Sequence, residues 1–164
     1  MRKILFWGTT LLVLVAVNYL IVAKERTLAS GRTMLLQLAP VDPRSLIQGD
    51  YMELRYAIAR DVQESELKKD KGEIVVSLDA NDVARFVRVH RGEKLQEGEH
   101  LLFYRNRGAL RLGAESFMFQ EGDAELYSKA KYGELNVDAS GRSVLVGLRG
   151  EDFMPLGRKQ PNPK

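Results

Sequence analysis

The sequence predicts a mainly β protein, an antiparallel sandwich or a partly open barrel with one small helix, carried on a single N-terminal transmembrane helix. Three observations predict it. Residues 4–23 form a run of twenty residues with no charge, and at 1.5 Å per residue such a helix covers about 30 Å, the hydrocarbon thickness of a bilayer. Beyond residue 32, short apolar runs rich in β-branched and aromatic residues alternate with turn residues at regular spacing, as in sandwiches and barrels. Only one later stretch, 124–132, reads as a helix, with Asp123 placed to cap it.

The anchor comes first in the chain. Met1-Arg2-Lys3 precedes the apolar run, and Thr9, Thr10 and Asn18 are its clearly polar members. A cleaved signal peptide also starts with a basic flank, but its apolar core is about 7 to 15 residues long and ends at a small-x-small site. The longer run here favours an uncleaved signal anchor. Trp7 and Tyr19 lie near its two ends, where amphipathic rings favour the headgroup level. A short flank of residues 1–3 before a long domain predicts a cytoplasmic N-terminus and a domain on the far side of the membrane. Asn18 lies near the outer end, where its amide is expected to reach water. Residues 24–32 read as a polar linker.

At 164 residues the chain has room for this anchor and one domain, 33–153, followed by a tail, 154–164, expected to be disordered. The absence of cysteine excludes disulfides, thiolate metal sites and a cysteine nucleophile. The formal charge of +3 divides unevenly: residues 1–32 carry five basic and one acidic side chain, residues 33–156 carry 17 and 21, and the tail adds three basic ones. The domain is thus slightly acidic, which argues against a nucleic-acid partner despite a pI near 9.2. Neither of the two common glycine-rich phosphate loops occurs, and no cofactor is expected.

Within the domain, residues 33–39 form a first strand stopped by Pro40, and Val41-Asp42-Pro43-Arg44-Ser45 is a turn. Residues 61–71 are charged and read as a solvated loop or short helical turn. Strands at 73–79 and 83–90 join through Ala80-Asn81-Asp82, and strands at 100–105 and 109–112 through Asn106-Arg107-Gly108. Phe117-Met118-Phe119 reads as a short buried strand. In the predicted helix, Leu126, Ala130 and Tyr127 face inward. A last hairpin pairs 134–138 with 143–148.

The sharpest local signal lies between the first strand and the charged loop. Gly49-Asp50 is a turn pair opening into Tyr51-Met52-Glu53-Leu54-Arg55-Tyr56-Ala57-Ile58, where Met52, Leu54, Tyr56 and Ile58 share one face and Tyr51, Glu53, Arg55 and Ala57 the other. These residues spell Gly-Asp-Tyr-x-x-Leu-x-Tyr and resemble the signature of the GDYXXLXY family of membrane-anchored bacterial proteins at all five fixed positions, Gly49, Asp50, Tyr51, Leu54 and Tyr56. Val41-Asp42-Pro43-Arg44, the stretch Phe117 to Gly122, Tyr132-Gly133-Glu134-Leu135 and Gly141-Arg142 extend the likeness. The resemblance implies a small single-anchor protein, often encoded beside a multi-pass membrane protein, and brings no reaction with it.

Candidate chemistry centres on Asp50, Tyr51 and Glu121, the last beside Gly122 in a turn. A carboxylate pair of Asp50 and Glu121 could share a proton or bind a cation, giving a hydrolase or small-ligand site. The simpler role for Asp50 is to hold its turn. His90 and His100 would approach each other only if their strands paired, and a metal site needs further ligands. The strip from Arg85 to Arg91 reads as protection of an exposed strand edge. The segment around Gly49-Asp50 also resembles the Gly-Asp box of type I signal peptidases, but Val41 stands where that family places its nucleophilic serine. None of Lys68, Lys69 and Lys71 lies in an apolar strand that would keep its amine neutral. The sequence therefore points to a non-enzymatic accessory domain on the outer side of a bacterial inner membrane, joined to a multi-pass partner, with a hydrolase or ligand-binding domain as the alternative.

Overall fold

The computed structural model describes residues 2–39, 51–67 and 70–157. Helix α1 (Arg2–Ser30) leads into β1 (Arg32–Gln37), followed by β2 (Tyr51–Glu53), the helical turn α2 (Ile58–Asp61) and a 3-10 turn at Glu64–Glu66. Then come β3 (Lys71–Leu78), β4 (Ala84–Val89), β5 (Glu99–Asn106), β6 (Leu110–Arg111), β7 (Ser116–Met118), the short α3 (Ala124–Tyr127), β8 (Tyr132–Val137), β9 (Ser143–Arg149) and β10 (Pro155–Leu156).

The strands form two four-stranded sheets, in the orders β1-β8-β9-β10 and β4-β3-β5-β6, and a two-stranded ribbon, β2-β7. A parallel bridge between Leu35 and Val83, with the Leu35 N–H donating to Asp82 O at 2.9 Å, joins the two sheets along one side. At one end, the turn between β8 and β9 reaches β5, where the Phe103 N–H donates to Gly141 O at 2.7 Å. The result is a curled sheet, the partly open barrel of the two expected architectures. Its concave side is filled by Met34, Leu36, Ile74, Val76, Leu102, Tyr104, Leu135 and Leu148, all essentially without solvent exposure. Burial of each such aliphatic side chain stabilises the fold by about 1.5–3 kcal/mol before the ordering cost.

The three expected hairpins form because each is set by a local turn. β3 and β4 pair across residues 79–83, where Asp79 Oδ1 accepts from the Asn81 and Val83 N–H groups at 2.9 and 3.0 Å. β8 and β9 pair across 138–142, where Asp138 Oδ1 plays the same part for Ser140 and Arg142. β5 and β6 pair as well, through Arg105↔Arg111 and Asn106↔Leu110.

Elsewhere the structure departs from the sequence reading. α1 continues through the stretch read as a linker and ends at Ser30, leaving Gly31 alone before β1. Residues such as Ala23, Lys24, Glu25, Arg26 and Leu28 are good helix formers, and the head holds the last turn: the Thr27 hydroxyl donates to Asp138 Oδ2 at 3.1 Å and the Asn136 amide to Leu28 O at 3.1 Å. The soluble helix spans only four residues, and Asp123 makes no side-chain capping bond. Tyr132 instead pairs with Gln37 of β1, with the Leu38 N–H donating to Lys131 O at 2.8 Å, so the sheet takes residues that helix propensity would claim. Of its expected inward residues, Tyr127 is buried against the Phe117 and Phe119 rings, Ala130 is half-buried on the core, and Leu126 is exposed. Met118, read as part of a buried strand, is 81% exposed because β7 has only one face on the core. Pro155 and Leu156, read as tail, pair with β9. Residues 158–164 lie outside the described residues.

β4 and β5 do not pair: β3 lies between them, so the chain after β4 crosses one face of β3 to begin β5. Arg88 spans this crossing, donating to Glu93 Oε1 at 2.9 Å from Nε and to both carboxylate oxygens of Glu99. Val75, beneath it, is fully buried although its neighbours Ile74 and Val76 point to the opposite face.

Candidate functional site

The motif is divided between the core and the surface. Gly49 and Asp50 lie outside the described residues, as does Val41, so the distance from Asp50 to Glu121 is not seen. From Tyr51 onward the chain is extended for three residues, pairing Tyr51 with Met118, Met52 with Phe117 and Glu53 with Ser116. The alternation inferred from sequence holds through the burial of Met52, Leu54, Tyr56 and Ile58, each at most 5% exposed. The long strand does not: beyond Glu53 the backbone leaves the ribbon, Tyr56 bridges to Leu38, and Ile58 opens α2. It leaves because the Ala39 N–H donates to Arg55 O at 2.7 Å and the Ala57 N–H to Gln37 O at 2.9 Å, which ties this stretch to the end of β1.

Tyr56 is the best-specified side chain of the motif. Its hydroxyl donates to Ala114 O at 2.5 Å inside the core. Burial, reinforced by the nearby Glu115 carboxylate, pushes the phenol far above its ordinary pKa, so it stays a neutral donor. Its ring lies over Gly133 of β8, where a Cβ would come within 3.1 Å of Tyr56 Cε1. Glu115 in turn accepts from the Leu112 and Gly113 N–H groups at 2.5 and 3.0 Å, and its carbonyl accepts from the Leu54 N–H at 2.7 Å. Leu54 and Tyr56 thus fasten the motif to the segment that joins β6 to β7.

Tyr51 faces the other way. It is 41% exposed beside the more exposed Met118, and Glu53 sits 3.8 Å from Arg111 at the ribbon's edge. This outer side of the ribbon is a small tyrosine and methionine surface with an ion pair at its margin. Glu121 is exposed, in a turn where Gly122 has φ +94°.

The histidines occupy separate places. His100 lies in β5 opposite Val76, half-buried, with its pKa lowered by burial and by Arg32. His90 follows β4, its N–H donating to Glu73 O at 2.9 Å and its Nδ1 lying 3.5 Å from Glu93 Oε1. Since β3 separates their strands, the condition for their approach is not met. Among the described residues, no group of three or more His, Cys, Asp or Glu side chains is arranged to hold a metal. The strip from Arg85 to Arg91 is largely committed to carboxylates: Arg85 pairs with Asp79 at 3.3 Å and Arg88 with Glu93 and Glu99.

Sequence reasoning missed two arginine contacts, Arg88 with its two glutamates and Arg149 with Glu134. Arg149 donates to both Glu134 oxygens at 2.9 and 2.7 Å and to Phe153 O at 3.0 Å, joining β8, β9 and the turn into β10. The signal available was weak: an arginine in a strand whose partner is fixed only once strand order is known.

Fold and site together define a β-head protein on one N-terminal apolar helix, with its signature motif built half into the core. The chain belongs to the GDYXXLXY protein family, whose model matches residues 13–148. No curated protein and no solved structure matches it.

Proposed function

We propose that this protein is a single-span protein of the bacterial inner membrane, with its N-terminus in the cytoplasm and its β head outside, serving as a non-enzymatic accessory subunit of a multi-pass membrane protein. The observation that carries the reading is the state of α1. Its most apolar part, within Phe6–Ala29, has no residue buried against the head, and the contacts with the head are confined to the last turn, at Thr27 and Leu28. Its polar side chains turn back onto the helix backbone: Thr9 and Thr10 donate to Phe6 O and Asn18 to Leu14 O, each at 2.9 Å. The Asn18 amide, expected to reach water, thus donates within the helix, which suits a hydrocarbon surrounding where an unbonded polar group is expensive.

The accessory role is supported by how the motif is used. Leu54 and Tyr56 serve the core, Tyr51 and Arg55 stay exposed, and Tyr51 together with Met118 of β7 across the ribbon offers a contact surface. Extraction in mild detergent should recover one multi-pass protein reproducibly with the chain, and Tyr51→Ala with Met118→Ala should release it while the head stays folded. Recovery of the chain alone, or capture unaffected by the double substitution, would argue against this reading. A reporter fused after residue 157 that is active only in the cytoplasm would reverse the orientation.

A further inference from the structure

The junction between α1 and the head is short, bonded on both sides and sterically tight. Only Gly31 separates the helix from β1. A Cβ there would come within 2.3 Å of Thr27 O and 3.1 Å of the Val137 N, so the strand leaves the helix in a close turn that the side chain of another residue would obstruct. The Gly31 N–H donates to Thr27 O at 3.0 Å, closing the last helical turn. Beside it, Thr27 is 5% exposed and bonded to Asp138, and the Asn136 amide holds Leu28 O. The Asn136 carbonyl accepts from Thr33 at 3.0 Å, so one side chain ties the helix end, β1 and β8 together.

Length then decides where this junction stands. The 29 residues of α1 extend about 43 Å at 1.5 Å per residue, close to the roughly 40–45 Å of a bilayer including both headgroup layers. The uncharged run ends at Ala23, and Lys24, Glu25 and Arg26 begin the part that passes through the outer headgroups. Thr27 is three residues before the helix end, about 5 Å back along the axis. Because Asp138 reaches down to Thr27, the turn 138–142 sits beside the last turn of the helix. The surface it offers is small and largely polar: Ser140 and Arg142 are exposed beside Ala139, and so is Lys24 on the adjacent helix. At the other end of β8 and β9, the turn 150–154 lies about 17 Å away along the strands, five steps of strand at 3.3–3.4 Å each.

We propose that the β8–β9 turn, residues 138–142, is a lipid-headgroup contact surface held against the bilayer by the rigid Gly31 junction, with Lys24 and Arg142 facing lipid phosphates. This rests on the reading of α1 as a membrane anchor. The partner is the lipid surface itself, so the contact forms in vesicles that contain this chain and no other protein.

The absence of cysteine makes single labels clean. Three full-length variants, Val17→Cys, Ala139→Cys and Glu151→Cys, each carry a fluorophore in phosphatidylcholine vesicles doped with lipids bearing a nitroxide on either the headgroup or the acyl chain. Headgroup nitroxide is expected to quench the label at 139 severalfold more than the label at 151, and acyl-chain nitroxide to quench the label at 17. An eight-residue glycine-serine insertion between Ser30 and Gly31 should bring quenching at 139 down to the level at 151. Equal quenching at 139 and 151, with the label at 17 quenched by acyl chains, would overturn the contact and leave the anchor standing. A label at 17 untouched by acyl-chain nitroxide would overturn both. Quenching at 139 that survives the insertion would overturn the role of the junction.

Discussion

Leu54 and Tyr51 sit three residues apart in the same motif and should respond in opposite ways to truncation. Leu54 is 2% exposed and packed in the core. Leu54→Ala should therefore cost about 2–5 kcal/mol, read as a fall in the denaturant midpoint of the head. Tyr51→Ala removes an exposed side chain and should stay within about 0.5 kcal/mol of the parent. A large loss from Tyr51→Ala would mean that its ring does structural work. Tyr56 offers a finer test. Tyr56→Phe keeps the ring and removes the donor to Ala114 O, leaving a carbonyl in the core without that partner, at a cost of about 1–3 kcal/mol. Gly133→Ala would press a methyl against the same ring, and an overpacked site of this kind costs about 1–3 kcal/mol. The two changes act on one contact, so their combined effect should differ from the sum of the single effects.

At the scale of the element, the crossing from β4 to β5 has a definite pH dependence. The N–H groups of Glu93 itself and of Arg91, with Arg88 beyond them, push the Glu93 carboxyl down to about 2 from its ordinary 4.5. Arg88, followed by the Gln96 N–H, lowers Glu99. Folded, both groups hold fewer protons than in the unfolded chain near pH 3, so folding stability rises with pH through this region. The Glu93 contribution is complete above about pH 4.5, the unfolded value, and is lost as the pH falls toward 2, and Glu99 adds to it in the same direction. Urea midpoints of the parent should fall across that window. Arg88→Ala should be less stable at pH 7 and fall less steeply, and parallel curves would remove Arg88 as the cause. The element scale also shows what the sequence made legible. The three hairpins were readable because Asp79-to-Val83, Asn106-to-Gly108 and Asp138-to-Arg142 carry their turn chemistry within five residues. The crossing was not, because Arg88 meets Glu99 eleven positions away, over a strand whose neighbours no local pattern specifies. The motif's inward face was readable from period-two alternation, whereas its early departure from the ribbon depends on Gln37 and Ala39 at the end of β1. α3 was overextended for a related reason: Tyr132 belongs to a strand paired with residues almost a hundred positions earlier.

For the whole molecule, the consequence is an order of assembly. β1 follows α1 almost directly, yet its partner in the sheet is β8, with Arg32 opposite Val137 and Gln37 opposite Tyr132. Met34, Leu35 and Leu36, each at most 3% exposed, have one flank of β1 uncovered until that partner arrives. Pairings of such long sequence separation carry a large loop-closure cost before they repay it, so folding of the head is expected to be slow, in the range of milliseconds to seconds. The apolar helix, by contrast, satisfies its backbone within itself. α1 can thus form while the head is still open, with β1 waiting at its C-terminal end. Chains that keep α1 but are cut back after Lys131 should retain β4, β3 and β5 as one sheet but leave β1 unpaired, and the head should be degraded by added protease within the time the parent survives. Chains ending after Gly157, which retain β8, β9 and β10, should resist as well as the parent. Protease resistance in the chain ending at Lys131 would show that β1 is held without β8, with the Leu35 to Val83 bridge alone enough to hold it.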